Sequence, residues 1–581
     1  MKIKNNLLKT FLLTILIFFS SCETFDLDQI EDPSSLNARL IDPVFAFNFV
    51  QLQLPDFVNS ANFFTQRVTR QMAMTGGNTY DSAFAPVDSN TNWTLGYTLL
   101  NAVKIMEQKS LQNREYYALG AAKVIRCYVL LTMVDIYGDI PVTEALLGNE
   151  NLTPKFDKSA DIYAQILSEL DAAIVILGQT NNTQSTIQDL YYTSQTSWIT
   201  LANTIKLKMF CTARLAGSDF GTPDIGAAIT GILSSGNYID TPAKDFAFKY
   251  GNSRFTPNTR HPLYNDQYEL GGGAYIGNYM FWCMTTEKGF SVPASGATLA
   301  TSNVDPRTAF YFFKQANVVA SNYDQFSLPN RTRPDHYNDL QYNSFYDNSV
   351  RTPYTVSNWV GGALVDNGYW GRDHGNNSGI PPDDTKRSVG GIYPIGGAYG
   401  SASSVQTSGN KGGLGAGIMP IILSSYVHFL KAEAVLTLGI TGDARAELQL
   451  GIEESIDKTL NLIPDYKYTG TPPSATALQS QKTWYVNTFI LPKYDALNDA
   501  KKLELIIKEY YIAAWGNGIE PYNNYRRTGS PSNFQPTLEP ESGAYFSTAL
   551  YPGDAVNNNP NTPANIRTKK VFWDKANLDL H

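Results

Sequence analysis

Histidine and cysteine are scarce in this chain of 581 residues, with five of the first and four of the second. None of His261, His336, His374, His428 or His581 sits in an HExxH order, and no GxSxG or phosphate-cradling GxxxxGK[ST] run occurs. Nucleophilic and metallopeptidase chemistry therefore has no sequence support. The cysteines show no CxxC spacing, which argues against a zinc ribbon or a disulfide framework. Basic surplus is also missing: 45 Lys and Arg stand against 53 Asp and Glu, a net charge of −8, so there is no electrostatic footprint for nucleic acid. No run beyond the N-terminus is long and apolar enough for a transmembrane helix. Asp- and Asn-rich loops are compatible with calcium (Ca2+), but no EF-hand order is present and no metal or cofactor is assigned.

What the chain does have is aromatic content, 12% overall with 35 Tyr and 8 Trp. Such rings serve packing, and they also serve as stacking platforms for the C–H faces of sugars. At the N-terminus, Lys2, Lys4 and Lys9 precede an apolar segment, Phe11 to Phe19, that is too short to span a bilayer. Small residues then lead into Cys22 (Phe19-Ser20-Ser21-Cys22), a lipobox-like ending. Residues 1–21 read as a lipoprotein signal peptide, Cys22 as the lipidated residue, and 22–43 as an acidic, turn-rich tether.

Residues 44–581 read as one mostly α domain. A helix is expected from Val44 to Met74, broken at Pro55, and another from Trp93 to about Lys109. Leu119 to Pro141 (LGAAKVIRCYVLLTMVDIYGDIP) has only Lys123 and Arg126 as charges before its polar exit, so it reads as a helix covered on nearly all faces. Gly138 can take the left-handed conformation that ends a helix, and Pro141 cannot continue one. Helical periods recur over Ile162–Ile176, Ile199–Met209, Ile421–Leu438, opened by Pro420 and closed by Gly439, and Ala444–Leu460, capped by Asp443. About four such pairs give a tetratricopeptide-like helical-hairpin scaffold, 44–216 and 418–581. The intervening 217–417 is rich in Gly, Asn, Ser, Pro and Tyr, which predicts a large loop-rich inserted lobe and the favoured place for a ligand.

Within that lobe the densest polar run is Arg372-Asp373-His374-Gly375-Asn376-Asn377, beside Trp370. A guanidinium fork, a carboxylate and amides suit sugar hydroxyls or peptide groups, and the same residues can equally stabilise an irregular turn. Tyr275, Tyr279, Phe281 and Trp282 follow three glycines in an exposed-looking run, and Tyr80 lies in the Gly76-Gly77 loop. The ligand-binding candidates are therefore Tyr80, Tyr275, Tyr279, Trp282, Trp370, Arg372, Asp373 and Asn376. Trp198, Trp515 and Trp573 read as packing residues, Asp135 and Asp139 as caps and turn partners, and Arg526 and Arg527 as fixing the C-terminal segment.

The order Gly120, Lys123, Arg126, Asp135, Tyr137, Gly138, Asp139, Pro141 resembles the signature of the SusD/RagB-like nutrient-binding outer-membrane lipoproteins. Pro154 to Ala173, Asn203 to Leu207, Asp305-Pro306-Arg307, Phe429 to Ala434, Glu520 to Pro531 and Lys570 to Asp574 also look like family motifs. Gly368 to Asp383 looks like the branch with a Gly-Arg-Asp-His-Gly motif. The resemblance implies a non-catalytic protein, anchored in the outer membrane and facing the cell exterior, that binds oligosaccharide and delivers it to a SusC-like TonB-dependent transporter. Glu23, Asp26 and Asp28 resemble a spaced-out form of the family's export signal. A peptide-uptake lid of the same architecture, a protein-binding helical-repeat adhesion lipoprotein and a glycosidase with two carboxylates are the other readings.

Overall fold

In the computed structural model the first described helix opens on a cap, where the Val44 amide donates to the Asp42 carboxylate at 2.8 Å. Pro43 takes the first helical position, where its missing N–H costs nothing, and α1 (Pro43–Val68) follows. The structure describes residues 42–580 except 75, 78, 181–187, 271–273, 290–303, 316–368, 370, 376–386, 401–408, 463–472, 538–540, 577 and 579. Helix α1 runs through Pro55, where the sequence had led us to expect a break. An interior proline removes one backbone hydrogen bond and costs about 3 kcal/mol. Burial of Leu54, Phe57 and Val58 on the adjoining turns offsets that cost.

Helices α2 (Asn90–Asn113) and α3 (Tyr116–Tyr137) form a hairpin whose tight link uses Arg114 in the left-handed conformation. The apolar pattern of α3 has its expected consequence, since every residue but Tyr116, Lys123 and Arg126 is buried. Its two cations pair outward, Lys123 with Glu107 at 2.5 Å and Arg126 with Glu169 of the next helix, α4 (Ser159–Leu177). Gly120 explains how closely α3 and α4 pack: a Cβ there would lie 2.5 Å from Leu177 Cγ. At the exit Gly138 has φ +81°, and the Asp139 carboxylate accepts from the Ser159 amide at 2.9 Å. The turn thus fixes the start of α4.

Hairpin stacking continues through α5 (Gln195–Thr212) and α6 (Ile225–Ser235). Helix α6 lies inside the interval expected to be loop-rich, yet it packs on α5. The chain then enters the lobe through β1 (Phe246–Lys249). Inside the lobe are α7 (Asn278–Met284) and an antiparallel pair, β2 (Phe312–Lys314) with β3 (Ser388–Gly390). The return strand, β4 (Ile418–Ile422), pairs antiparallel with β1. Pro420 therefore sits in a strand opposite Ala247 and does not open a helix. The helix begins only at Ser424, after this strand, whose Pro420 and Ile421 carbonyls accept from the Asn517 side-chain amide at 3.1 and 3.0 Å.

Helices α8 (Ser424–Leu438) and α9 (Ala444–Leu460) form the next hairpin, with Asp443 accepting from the amides of Arg445 and Ala446 as expected. Helix α8 packs on both α5 and α10 (Asp499–Ala513), and α11 (Ile519–Thr528) packs on α1, so the two ends of the sequence share one core. Asp135 ties them together: its carboxylate accepts from Tyr163 Oη at 2.5 Å, Asn523 Nδ2 at 2.7 Å and Trp573 Nε1 at 3.0 Å. The lobe is held to α10 by buried ion pairs, Arg307 with Glu509 at 3.0 Å and Lys508 with Glu287 at 2.8 Å, and within the lobe Asp305 pairs with Arg307 at 2.7 Å. Such pairs repay their desolvation only when geometry is good and the remaining groups are satisfied.

Candidate functional site

The residues singled out in the sequence come together, but as a buried joint between lobe and scaffold. Tyr80 starts a one-turn helix (Tyr80–Ala83) capped by Thr79. Its hydroxyl accepts from Arg70 Nη2 at 3.3 Å and lies 3.1 Å from His374 Nε2. Arg70 Nε donates to the Gln535 carbonyl at 2.8 Å, and the His374 amide donates to Gln535 Oε1 at 3.0 Å. Asp373 accepts from Asn278 Nδ2 at 2.9 Å and Gln535 Nε2 at 3.0 Å. Arg372 extends a parallel bridge with Gly277, its amide donating to the Ile276 carbonyl at 3.1 Å. Tyr275 is flanked by the guanidiniums of Arg372 and Arg387, 5.0 and 4.2 Å from the ring centre. Burial and the Arg70 charge hold the His374 imidazole well below its usual range, so the ring is neutral.

The exposure expected for the run of Tyr275, Tyr279, Phe281 and Trp282 is not found; all four are buried, as is Tyr80. Helix α7 carries Tyr279 and Trp282 inward against α10. Tyr279 Oη donates to Asn533 Oδ1 at 2.8 Å and accepts from Lys508 Nζ at 2.9 Å. Glycines before these rings give the run a loop-like composition, while rings of this size gain most from burial. Arg372 and Asp373 are likewise buried. They tie their loop to the 276–278 segment and to Gln535. Trp370, Asn376 and Cys22 lie outside the described residues. Among the described cysteines, Cys127, Cys211 and Cys283 are buried free thiols, and burial pushes Cys211 and Cys283 up to about 12. Among the described residues no His, Cys, Asp and Glu cluster is placed to hold a metal ion, and no helix is long and apolar enough to cross a membrane.

Beside this joint a cleft of about 420 Å³ opens between α1 and the lobe. That volume lies within the roughly 300–1,000 Å³ typical of small-ligand sites. Asn59, Phe63 and Arg67, spaced i, i+4, i+8 along α1, form one wall, His261 and Asp266 stand on the lobe side, and Trp515, just past α10, also lines it. Phe63 is 46% exposed, with the Arg67 guanidinium 3.8 Å from its ring centre. Arg67 Nη1 donates to the Phe63 carbonyl at 2.6 Å.

Three lining residues carry a buried polar atom without a hydrogen-bond partner: Arg67 Nε, Asp266 Oδ2 and Trp515 Nε1. Desolvation lowers Arg67 to about 10 against the opposing fields of Asp266 and Asp88. Desolvation also raises Asp266, opposed by Arg387, the Ala274 backbone and Arg67. Burial pushes His261 down to about 3, and its Nδ1 accepts from the Leu263 amide at 3.1 Å, which places the ring proton on Nε2. Phe63 and Arg67 escape the sequence reading as part of an apolar helix, whereas Trp515 is packed in the core as expected. The available signal was the i+4 spacing that puts Phe63 and Arg67 on the same outer stripe as Phe49 and Leu52.

The structure thus combines a helical-hairpin scaffold with a loop-rich lobe and a polar-walled cleft. Residues 34–327 match the family model described as "Starch-binding associating with outer membrane", and residues 417–568 match that described as "Susd and RagB outer membrane lipoprotein". The chain belongs to this SusD/RagB-like family of outer-membrane lipoproteins. Among solved structures it is similar to a chitin-binding protein, at 18% identity and TM-score 0.61, with 92% of this chain and 100% of that chain covered. It is also similar to a chitin-binding SusD homologue from Flavobacterium johnsoniae, at 16% identity and TM-score 0.61, covering 92% of this chain and 98% of the other. A Bacteroidetes SusD-like protein matches at 15% identity and TM-score 0.61, with 92% and 100% covered. No functionally curated protein matches the chain.

Proposed function

We propose that this protein captures oligosaccharide at the outer face of the outer membrane, anchored by lipid on Cys22, and delivers it to a SusC-like TonB-dependent transporter. The observation that carries the glycan reading is the cleft beside Phe63, which sets that exposed ring among the polar side chains of Asn59, Gln66, Arg67 and Asp266. Sugars offer both hydroxyl donors and acceptors and an apolar ring face, so this mixture suits them. The two chitin-binding neighbours of the same fold support it. Tyr80, Tyr275, Tyr279, Trp282, Arg372 and Asp373 act in this reading by seating the lobe that forms the far wall.

For the transporter, the supporting feature is the outer stripe of α1, where Phe45, Phe49 and Leu52 are 72%, 39% and 53% exposed. Aligned apolar side chains of this kind mark contact surfaces. Affinity for glycan is micromolar to millimolar in order of magnitude, since a shallow, wet site retains little after ordering costs. A glycan array run beside a peptide-pool pull-down with the full chain tests the reading. Retention of glycans supports it; retention of peptides with no glycan bound replaces it with a peptide-uptake lid.

A further inference from the structure

Of the large apolar side chains described, Phe255 and Leu270 are the most exposed, at 80% and 76%. Each follows directly on one member of the same ion pair, Arg254 with Glu269. Arg260 meets the other oxygen of that carboxylate at 3.3 Å, so the two side chains are brought together on the lobe and not scattered over it. The loop that presents Phe255 is closed at its base. There the Gly251 amide donates to the Thr259 carbonyl at 2.8 Å, the Thr259 amide to the Ser253 carbonyl at 3.0 Å and the Ser253 amide to Thr259 Oγ1 at 3.1 Å. Asn258 Oδ1 accepts from the Arg260 amide at 3.1 Å, and Pro257 restricts φ at the tip. A ring held out on a fastened loop has already lost freedom that binding would otherwise remove.

The same stretch of chain builds the cleft. His261, Pro262 and Leu263 leave the loop as cleft lining, and Asp266 lines it four positions before Leu270. The loop springs from that wall, since the Tyr250 and His261 rings at its two ends lie 4.8 Å apart. Phe255 is six positions from His261, at most about 20 Å of extended chain. An oligosaccharide leaving the cleft along the lobe has this ring within reach.

Area decides between a sugar and a protein at this spot. A fully covered Phe contributes about 150–250 Å², whereas a stable protein contact covers about 800 Å² per partner. The rest of the tip, Asn252, Ser253, Arg254, Thr256 and Asn258, is polar and extends no apolar face around the ring. One ring with an aliphatic neighbour matches the C–H face of a sugar unit.

We propose that Phe255 and Leu270 form an outer stacking subsite for an oligosaccharide whose other end occupies the cleft. This rests on the glycan reading above and adds to it the form of the ligand: an extended chain held at two places, in preference to a mono- or disaccharide.

Calorimetric titration of the full chain with two ladders, chito- and malto-oligosaccharides from dimer to octamer, tests it. Affinity rises with length, and Phe255→Ala lowers octamer affinity by about tenfold while leaving that of the shortest binding member unchanged. Phe255→Tyr, which keeps the flat ring, retains octamer affinity, and Leu270→Ala lowers it by less than Phe255→Ala does. Both positions are on the surface, so the melting temperatures stay those of wild type. Wild-type octamer affinity in Phe255→Ala, an equal loss at every length, or affinity independent of length each overturns the inference; the glycan reading survives all three. Failure of every member of both ladders to bind overturns both.

Discussion

Asp135 and Trp573 are separated by 438 positions in sequence, and the indole Nε1 of one donates to the carboxylate of the other at 3.0 Å. Tyr163 and Asn523 donate to the same carboxylate, and Arg526 Nη2 donates to the Asp135 carbonyl at 2.6 Å. The family signature helix is thereby locked to the C-terminal segment. Asp135→Ala strands the three side-chain donors in the core. The expected loss is about 3 kcal/mol or more, read as a fall in the denaturant midpoint with unchanged m-value. A midpoint within experimental error of wild type would show that these contacts contribute nothing net.

Gly120 faces Leu177 at a separation that leaves no room for a methyl group. Gly120→Ala forces α3 and α4 apart, at about 1–3 kcal/mol. Helix propensity alone favours alanine by about 1 kcal/mol, so a stabilised variant would mean that the interface yields easily. Thermal unfolding distinguishes the two.

Tyr80 and Trp282 are packed in the core beneath the lobe. Tyr80→Ala and Trp282→Ala are each expected to cost about 3–5 kcal/mol. Phe63→Ala, on an exposed stripe, costs less than about 1 kcal/mol by the rule for surface positions. Comparing melting temperatures across the three separates rings that build the joint from the ring that faces the cleft.

His428 on α8 lies 2.6 Å from Glu447 and 3.5 Å from Glu454 across the hairpin. These carboxylates raise its pKa to about 9, overcoming desolvation, and the same contact holds Glu447 below the usual carboxylate range against desolvation. A raised histidine pKa stabilises the fold fully below about 6.5, the unfolded value, and the contribution is lost as pH rises through about 9. The loss is of order 2–3 kcal/mol. His428→Gln should flatten stability between pH 6.5 and 9; an unchanged slope would assign the titration to another group.

Lipidation makes the simplest cellular prediction. Cys22→Ala moves the protein from the membrane fraction to the soluble fraction, since the processed chain would then lack its acyl anchor. Full retention in membranes after carbonate washing would refute lipid on Cys22.

Local patterns made much of the scaffold readable before any coordinates. The charge-poor run of α3, the Gly138 exit and the Asp443 cap depend on neighbours within a few residues, and each is found where expected. Proline was misread twice, because Pro55 and Pro420 are tolerated by tertiary packing that no local window contains. The aromatic run after the glycines was misread for a related reason: Tyr279 meets Asn533 across 254 positions and Tyr80 meets His374 across 294. Composition reports where a loop is, not what covers it. The cleft was hidden for the same cause, its walls being drawn from α1, the lobe and the end of α10.

Strands β1 and β4 are hydrogen-bonded to each other where the chain enters and leaves the lobe. The scaffold therefore sees a closed clasp, whatever length of chain hangs beyond it. Doubling a loop costs only about 0.6 kcal/mol in closure entropy, so segments inside the lobe can be lengthened, shortened or exchanged while the helices keep their packing. One helical frame can then serve many ligands, with specificity rewritten by cassette rather than by redesign of the core.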